Sequence, residues 1–389
     1  MIFCFAGTAL FAQSEELQIW SDAYDSARTI SEQLLYIQYI VDGNYPGSDV
    51  FYAKALDRLI LEYPRYSTIT ELDAADRVAL ILAFRLGEAK HAASATNLWQ
   101  MVNYFSNALV KAEALAAIGK TGNTMYLPHV VQLLNDLNTQ SQADREMRER
   151  SERIAYGAIL SLEYYREADG YLPVFFASTG WYAERIKSLA SAALPKITDD
   201  PTEQLLSVVN RTGYTYAIKH LALKTSEASG SSEASKARVA VAALIEGWRL
   251  QVSDLRERQE LTQMRKLALN MIRRYGTEDK AVYPQLDRSF LTGDMDEKLL
   301  VLYALEALAS EDSVRLLTGY LRTIHQRRTA NTITTNDEQL VRVVIPALGN
   351  VGSASRAASR AILIQIQQSP DWNYTIKNLA AQALTKIGN

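Results

Sequence analysis

The sequence predicts an all-α chain built as a stack of helical hairpins, an α-solenoid. Three observations predict it. Apolar residues recur at spacings of three and four, and no segment of comparable length alternates with period two. A short phrase returns along the chain, as "EALAAIGKTGN" at 113–123, "PALGNVGS" at 346–353 and "QALTKIGN" at 382–389. Prolines stand early in candidate second helices, in "YLPHVV" (Pro128), "YLPVFF" (Pro173) and "VYPQLD" (Pro284). Proline is tolerated there because first-turn amides have no acceptor within the helix.

The N-terminus, "MIFCFAGTALFAQSEE", is apolar and uncharged through Ala12 and abruptly polar after it. That order resembles the apolar core and small-residue cleavage site of a signal peptide. Residues 1–12 are therefore expected to be a leader cut after Ala12, with the product periplasmic or secreted. No Lys or Arg precedes the apolar run, which a start codon assigned too far downstream would explain. A buried N-terminal strand or helix is the other reading. Cys4 is the only cysteine, so a processed chain would carry no thiol, as suits an oxidising compartment. No later stretch approaches the roughly 18 apolar residues of a membrane span. A net charge of −3 supplies no global basic field for nucleic acid. From Ser14 to Gln100 there are 13 Asp/Glu against 7 Lys/Arg, so the N-terminal part is acidic and the rest slightly basic.

Residues 13–74 read as a helical cap or degenerate repeats, and 75–389 as the repeat array. Over 108–119, Ala108, Ala112, Leu115, Ala116 and Gly119 form one stripe of mostly small residues, which lets another helix pack close. Gly119 and Gly122 then offer positive φ to stop the helix and turn. A second helix follows through Leu127, Val130, Val131, Leu134 and Leu137. Such a hairpin cannot bury its apolar faces alone and needs neighbours of its own kind. Asp200-Pro201-Thr202-Glu203 reads as an N-cap, a first-turn Pro and a capping-box Glu. Leu302, Leu305, Leu308 and Ala309 form one later stripe, and Val314, Leu317, Leu321 and Ile324 the next. Ile376, Leu379, Ala380, Ala383, Leu384 and Ile387 lie on a last, capping helix over 372–387. Three polar stretches, near 138–146, 226–236 and 327–338, read as mobile surface loops, and 226–236 also as a linker between two halves.

The recurring phrase and the early prolines resemble HEAT repeats of the short bacterial type. In that family the first helix ends in a phrase like Ala-Leu-x-x-Ile-Gly, and the second carries an early Pro followed by Leu-x-x-Leu. Residues 108–137 and 337–367 match well; 147–178, 180–210, 256–290 and 293–328 match more loosely. The resemblance implies a right-handed solenoid of roughly nine or ten helix pairs, armadillo-like, with the second helix of each pair lining a concave face. It speaks for fold far more than for function.

Reaction chemistry finds little support. His91, His129, His220 and His325 are scattered; none is followed by Glu, and no His-x-x-x-His or Cys-x-x-Cys spacing occurs. The deoxyhypusine hydroxylases, HEAT-type enzymes that bind iron through His-Glu pairs, are thereby disfavoured. So are the DNA glycosylases of HEAT-like helices, which need a basic concave face and a catalytic acid. Nothing specifies the tetrapyrrole of HEAT-type bilin lyases. The glycines of "GKTG" lack the lead of a phosphate-binding loop. No catalytic residue, metal or cofactor is therefore expected.

Two features point to binding. Tyr156, Tyr164, Tyr165, Tyr171, Phe175, Phe176, Trp181 and Tyr182 fall within 27 residues. They read either as a recognition surface through Tyr164, Tyr165, Trp181 and Tyr182, or as filling for a wide seam with hydroxyls reaching solvent. Arg315 and Arg322 share the side of helix 312–327 opposite its apolar stripe; Arg356 and Arg360 are one turn apart on 353–367, and Arg288 takes an equivalent place on the helix before. They read either as an arginine-lined groove for carboxylates, or as solvated faces paired with local Asp and Glu. The function expected is a non-enzymatic scaffold of the cell envelope that binds another protein, or an extended acidic peptide, on its concave face. The alternative is a HEAT-type enzyme subunit or lyase-like protein acting on a bound small molecule or chromophore.

Overall fold

The computed structural model describes residues 5–141, 143–249 and 252–388, with 5–14 described by backbone alone. Residues 1–4 of the expected leader, Cys4 among them, lie outside the described residues. All regular structure among the described residues is helical, with no strand. The chain forms two compact units, Met1–Thr198 and Asp199–Asn389.

The first unit holds α1 (Phe5–Ser26), α2 (Ile30–Gly43), α3 (Ser48–Glu62), α4 (Ile69–Glu88), α5 (Ala95–Tyr104), α6 (Ala108–Thr121), α7 (Leu127–Thr139), α8 (Arg145–Tyr165), α9 (Tyr171–Thr179) and α10 (Glu184–Ile197). The even helices pack in series, α2 on α4, α4 on α6, α6 on α8 and α8 on α10. Odd helices lie in a second layer, α3 beside α5 and α7 beside α9. The second unit repeats the plan with α11 (Thr202–Asn210), α12 (Tyr216–Ala228), α13 (Glu233–Glu246), α14 (Leu255–Tyr275), α15 (Val282–Thr292), α16 (Met295–Leu308), α17 (Glu311–Thr329), α18 (Thr335–Val351), α19 (Arg356–Gln368) and α20 (Tyr374–Ile387). There α12, α14, α16, α18 and α20 pack in series, and α11, α13, α15, α17 and α19 form the other layer.

Two of the three phrases carry a glycine at an even-layer crossing, whereas Gly388 of the third ends α20 at φ 79°. A Cβ on Gly87 would lie 3.0 Å from Ala117 Cα, and one on Gly119 would lie 2.5 Å from Ser161 Cα and O. A Cβ on Gly157 would come 2.3 Å from the Ala112 carbonyl oxygen, and one on Gly349 2.9 Å from Ala383 Cα. Small residues on the even helices thus let successive members of the layer touch backbone to backbone. The phrases at 346–353 and 382–389 meet each other, because Gly349 and Ala383 belong to one crossing of α18 and α20.

Several expectations need correction. Gly119 is not a turn residue: it is buried inside α6, and the left-handed residue is Gly122 at φ 69°. The hairpin expected over 108–137 shifts by one helix. Helix α7 rests mainly on α8, and α6 on α5, because α6 spends its small-residue stripe on its even-layer neighbours. The polar stretches are largely helix ends. Among the described residues only 140–141, 143–144, 229–232 and 330–334 lie between helices, with Asp144, Ser232 and Thr334 accepting hydrogen bonds from the Met147, Ser235 and Asp337 amides. Polar composition there marks caps, where Ser, Thr and Asp satisfy first-turn amides. Asp200 does accept from the Thr202 amide at 3.1 Å, and it also receives the Ser231 hydroxyl at 2.8 Å. Glu203 turns away to Arg238 at 3.0 Å, so the expected capping box is not closed. True boxes open α2, α4, α16 and α18, at Thr29/Glu32, Thr68/Glu71, Asp294/Glu297 and Thr334/Asp337.

Ala309 does not belong to the stripe of α16. It ends that helix in the left-handed region at φ 48°, with its amide on the Leu305 carbonyl. A Cβ is strained there, so Ala309→Gly is expected to raise stability by about 0.5–1 kcal/mol. Urea denaturation of the two proteins checks this.

Candidate functional site

The second unit carries the chemistry. The predicted arginines all fall on consecutive helices of its odd layer: Arg288 on α15, Arg315 and Arg322 on α17, Arg356 and Arg360 on α19. Helix α17 buries Val314, Leu317, Leu321 and Ile324 and leaves Arg315 and Arg322 exposed. Tyr320 ties α17 to α15, stacking on Phe290 at 3.7 Å between centroids and donating its hydroxyl to Asp287 at 3.0 Å. Burial, then the nearby Asp287 charge, pushes this phenol well above its ordinary range, so it remains a donor.

The five arginines are not equivalent. Arg315 is paired with Asp312 one turn earlier, at 3.0 Å. Arg360 is half-buried and donates to the Gly388 carbonyl at 2.6 Å, which satisfies the end of α20. Arg356 is exposed at the first residue of α19. Arg322 is exposed with no carboxylate partner among the described residues, and Arg288 likewise has none. The row is therefore partly paired locally, and among the described residues Arg322 and Arg288 carry its unneutralised charge.

Sequence reasoning missed a buried ionic centre beside Arg288. Arg265 on α14 faces Glu297 on α16 through Nε–Oε1 at 2.6 Å and Nη2–Oε2 at 3.3 Å, and donates Nη1–H to the Gly247 carbonyl at 3.1 Å. Glu297 is almost fully buried and also accepts the Asp294 amide at 3.2 Å, closing its capping box. The Trp248 ring lies under both the Arg265 guanidinium, at 3.9 Å, and that of Arg288, at 5.3 Å. Its indole N–H donates to Ser289 Oγ at 2.7 Å. A second buried pair, Lys219 with Glu246, joins α12 to α13, and Arg249 reaches the same carboxylate at 3.3 Å. The legible signal was Arg265 itself, a charge inside the apolar stripe of Leu261, Met264, Ala268, Leu269 and Ile272.

In the first unit the aromatic run divides. Tyr165 and Tyr182 are buried, with hydroxyls donating to the Asn123 carbonyl at 2.9 Å and to Asn138 Oδ1 at 3.0 Å. Trp181 stacks on Tyr182 at 4.3 Å and donates its indole N–H to the Leu137 carbonyl at 3.0 Å. These polar handles are spent on holding the α7 to α10 region together, rather than reaching solvent. Tyr164 is the exposed ring of the four residues singled out, with Lys120 Nζ 5.5 Å from its centroid.

His220 pairs with Glu260 at 3.1 Å, and His325 accepts the Trp372 indole N–H at 3.1 Å. Among the described residues no three of His, Cys, Asp and Glu gather as a metal site, and no helix is long and apolar enough to cross a membrane. No protein-family model matches the chain, and no curated protein matches it significantly.

Proposed function

We propose that the chain is a non-enzymatic scaffold of HEAT type that binds an acidic protein segment along the odd layer of its second unit. The observation that carries this reading is the placement of exposed arginines on three neighbouring helices, α15, α17 and α19, with Arg288 and Arg322 lacking carboxylate partners. A row of guanidinium groups spaced along successive helices matches an extended chain bearing repeated carboxylates, since each planar fork can take one carboxylate in two hydrogen bonds. The reading makes this layer the binding side of a right-handed solenoid, although it holds the first helix of each tightly packed pair, α15 on α16, α17 on α18 and α19 on α20, rather than the second. It places the protein in the periplasm or outside the cell after cleavage at Ala12, which sequencing of the native N-terminus decides: an intact Met1 rejects it.

The binding test is fluorescence anisotropy with a labelled, extended Glu-rich peptide and a Lys-rich peptide of equal length. The Glu-rich peptide should bind and the Lys-rich one should not. Charge reversal at Arg322 alone should weaken binding several-fold, because an exposed pair is worth under about 1 kcal/mol and its reversal adds repulsion. Equal binding of both peptides, or of wild type and Arg322→Glu, rejects the reading.

A further inference from the structure

The turn after α13, the first half of α14 and the end of α15 enclose a cleft of about 360 Å³. Its volume lies in the range of small-molecule sites, which run from about 300 to 1,000 Å³. Val252, Leu261 and the Trp248 ring supply its apolar wall. What distinguishes it is the state of its polar groups. The Trp248 N–H is committed to Ser289. Thr262 donates its hydroxyl proton to the Arg258 carbonyl at 2.9 Å and accepts from Arg265 Nη2 at 3.2 Å. Thr292 donates to the Arg288 carbonyl at 2.7 Å. Arg265 is neutralised by Glu297. Two lining groups remain without an ionic or hydrogen-bonding partner among the described residues, the guanidinium groups of Arg258 and Arg288. Among the described residues no acidic one lines the cleft.

We propose that this cleft binds a small organic carboxylate, with the carboxylate on Arg258 and Arg288 and the apolar body against Leu261, Val252 and Trp248. The uncommitted polarity of the wall is entirely cationic, so an anion gains there what a neutral or cationic ligand cannot. The Arg265 guanidinium, held by Glu297, packs on the Trp248 ring at 3.9 Å and so fixes the ring in place. Inorganic phosphate would satisfy the arginines but leave the apolar wall bare. The same chemistry is offered by a free aliphatic acid and by the C-terminal residue of a peptide. This site shares Arg288 with the binding row described above and goes beyond it, since Arg258 and Trp248 have no part in that row.

The test is calorimetric titration of the full chain at low salt with four probes: 4-methylpentanoate, its amide, N-acetylglycyl-leucine with a free C-terminus, and inorganic phosphate. At least one of the two carboxylates should bind, with the amide and phosphate weaker by about tenfold or more. Tighter binding of N-acetylglycyl-leucine identifies the source as a peptide terminus, and tighter binding of 4-methylpentanoate as a free acid. Arg258→Gln should weaken the carboxylate by about tenfold, and Arg258→Lys should recover part of that loss while leaving the thermal midpoint unchanged. Arg258 is exposed, so neither variant removes core packing. Amide binding equal to acid, phosphate binding as tight as the carboxylates, no binding of either carboxylate at millimolar concentration, or an unaffected Arg258→Gln protein overturns the proposal.

Discussion

Gly119→Ala is expected to destabilise the protein by about 2–3 kcal/mol, although the same change in an open helix stabilises by up to about 1 kcal/mol. The sign reverses because the new methyl would stand 2.5 Å from Ser161 Cα and its carbonyl oxygen, and backbone cannot rotate aside as a side chain can. Helices α6 and α8 must separate, and the whole seam between them loses contact. Gly319 supplies the control. It lies within α17, and a Cβ there meets nothing within 4 Å. Gly319→Ala should therefore stabilise by about 0.5–1 kcal/mol. Gly157 faces Ala112 across the same crossing as Gly119. Once either alanine has moved the helices apart, the second should cost less than it does alone, and the double variant should fall short of the sum. Urea denaturation of the wild type and the four variants reads all of this. Additive losses would mean that the helices do not respond as one seam.

Glu297→Gln should cost about 3–5 kcal/mol, the loss expected when one member of a buried ion pair is removed and the other is left uncompensated. Glutamine keeps the size and can still accept the Asp294 amide, so the cap survives and the charge is what changes. Arg265 would remain almost fully buried, over the Trp248 ring, with only the Gly247 carbonyl and Thr262 hydroxyl to face. Replacing both partners, as Arg265→Met with Glu297→Leu, should recover most of the loss, since desolvation of the ions then disappears as well. A double variant no more stable than Glu297→Gln would show that the pair's geometry, rather than its charge balance, holds α14 to α16.

How much of this was legible in the sequence differs by feature. The helices over 108–119 and 127–137 were readable because each carries a strong stripe of period 3.6, and the prolines at 128, 173 and 284 do fall in the first turns of α7, α9 and α15. The role of Gly119 was not readable. Its neighbour Ser161 is 42 residues away, and glycine near a helix end argues equally for a turn. The polar stretch at 226–236 read as a loop because Ser and Glu were counted for polarity; Ser232 is a helix cap, and the break is four residues long. On the binding surface, helical spacing alone placed Arg315 and Arg322 on the exposed side of α17. Spacing could not show that Arg360 closes the end of α20, a contact 28 residues distant. The ionic centre at Arg265 and Glu297 also joins different helices, 32 residues apart, and only the charge inside an apolar stripe hinted at it.

The proposal that the odd layer of the second unit selects acidic partners is tested most directly by association kinetics. Stopped-flow mixing of the Glu-rich peptide with wild type and with the Arg322→Glu/Arg356→Glu variant, between about 20 and 300 mM salt, separates steering by charge from contact of any other kind. The wild-type rate should fall steeply as salt rises, and the variant should associate slowly at every salt concentration with little slope. Equal rates and equal slopes for the two proteins would contradict it.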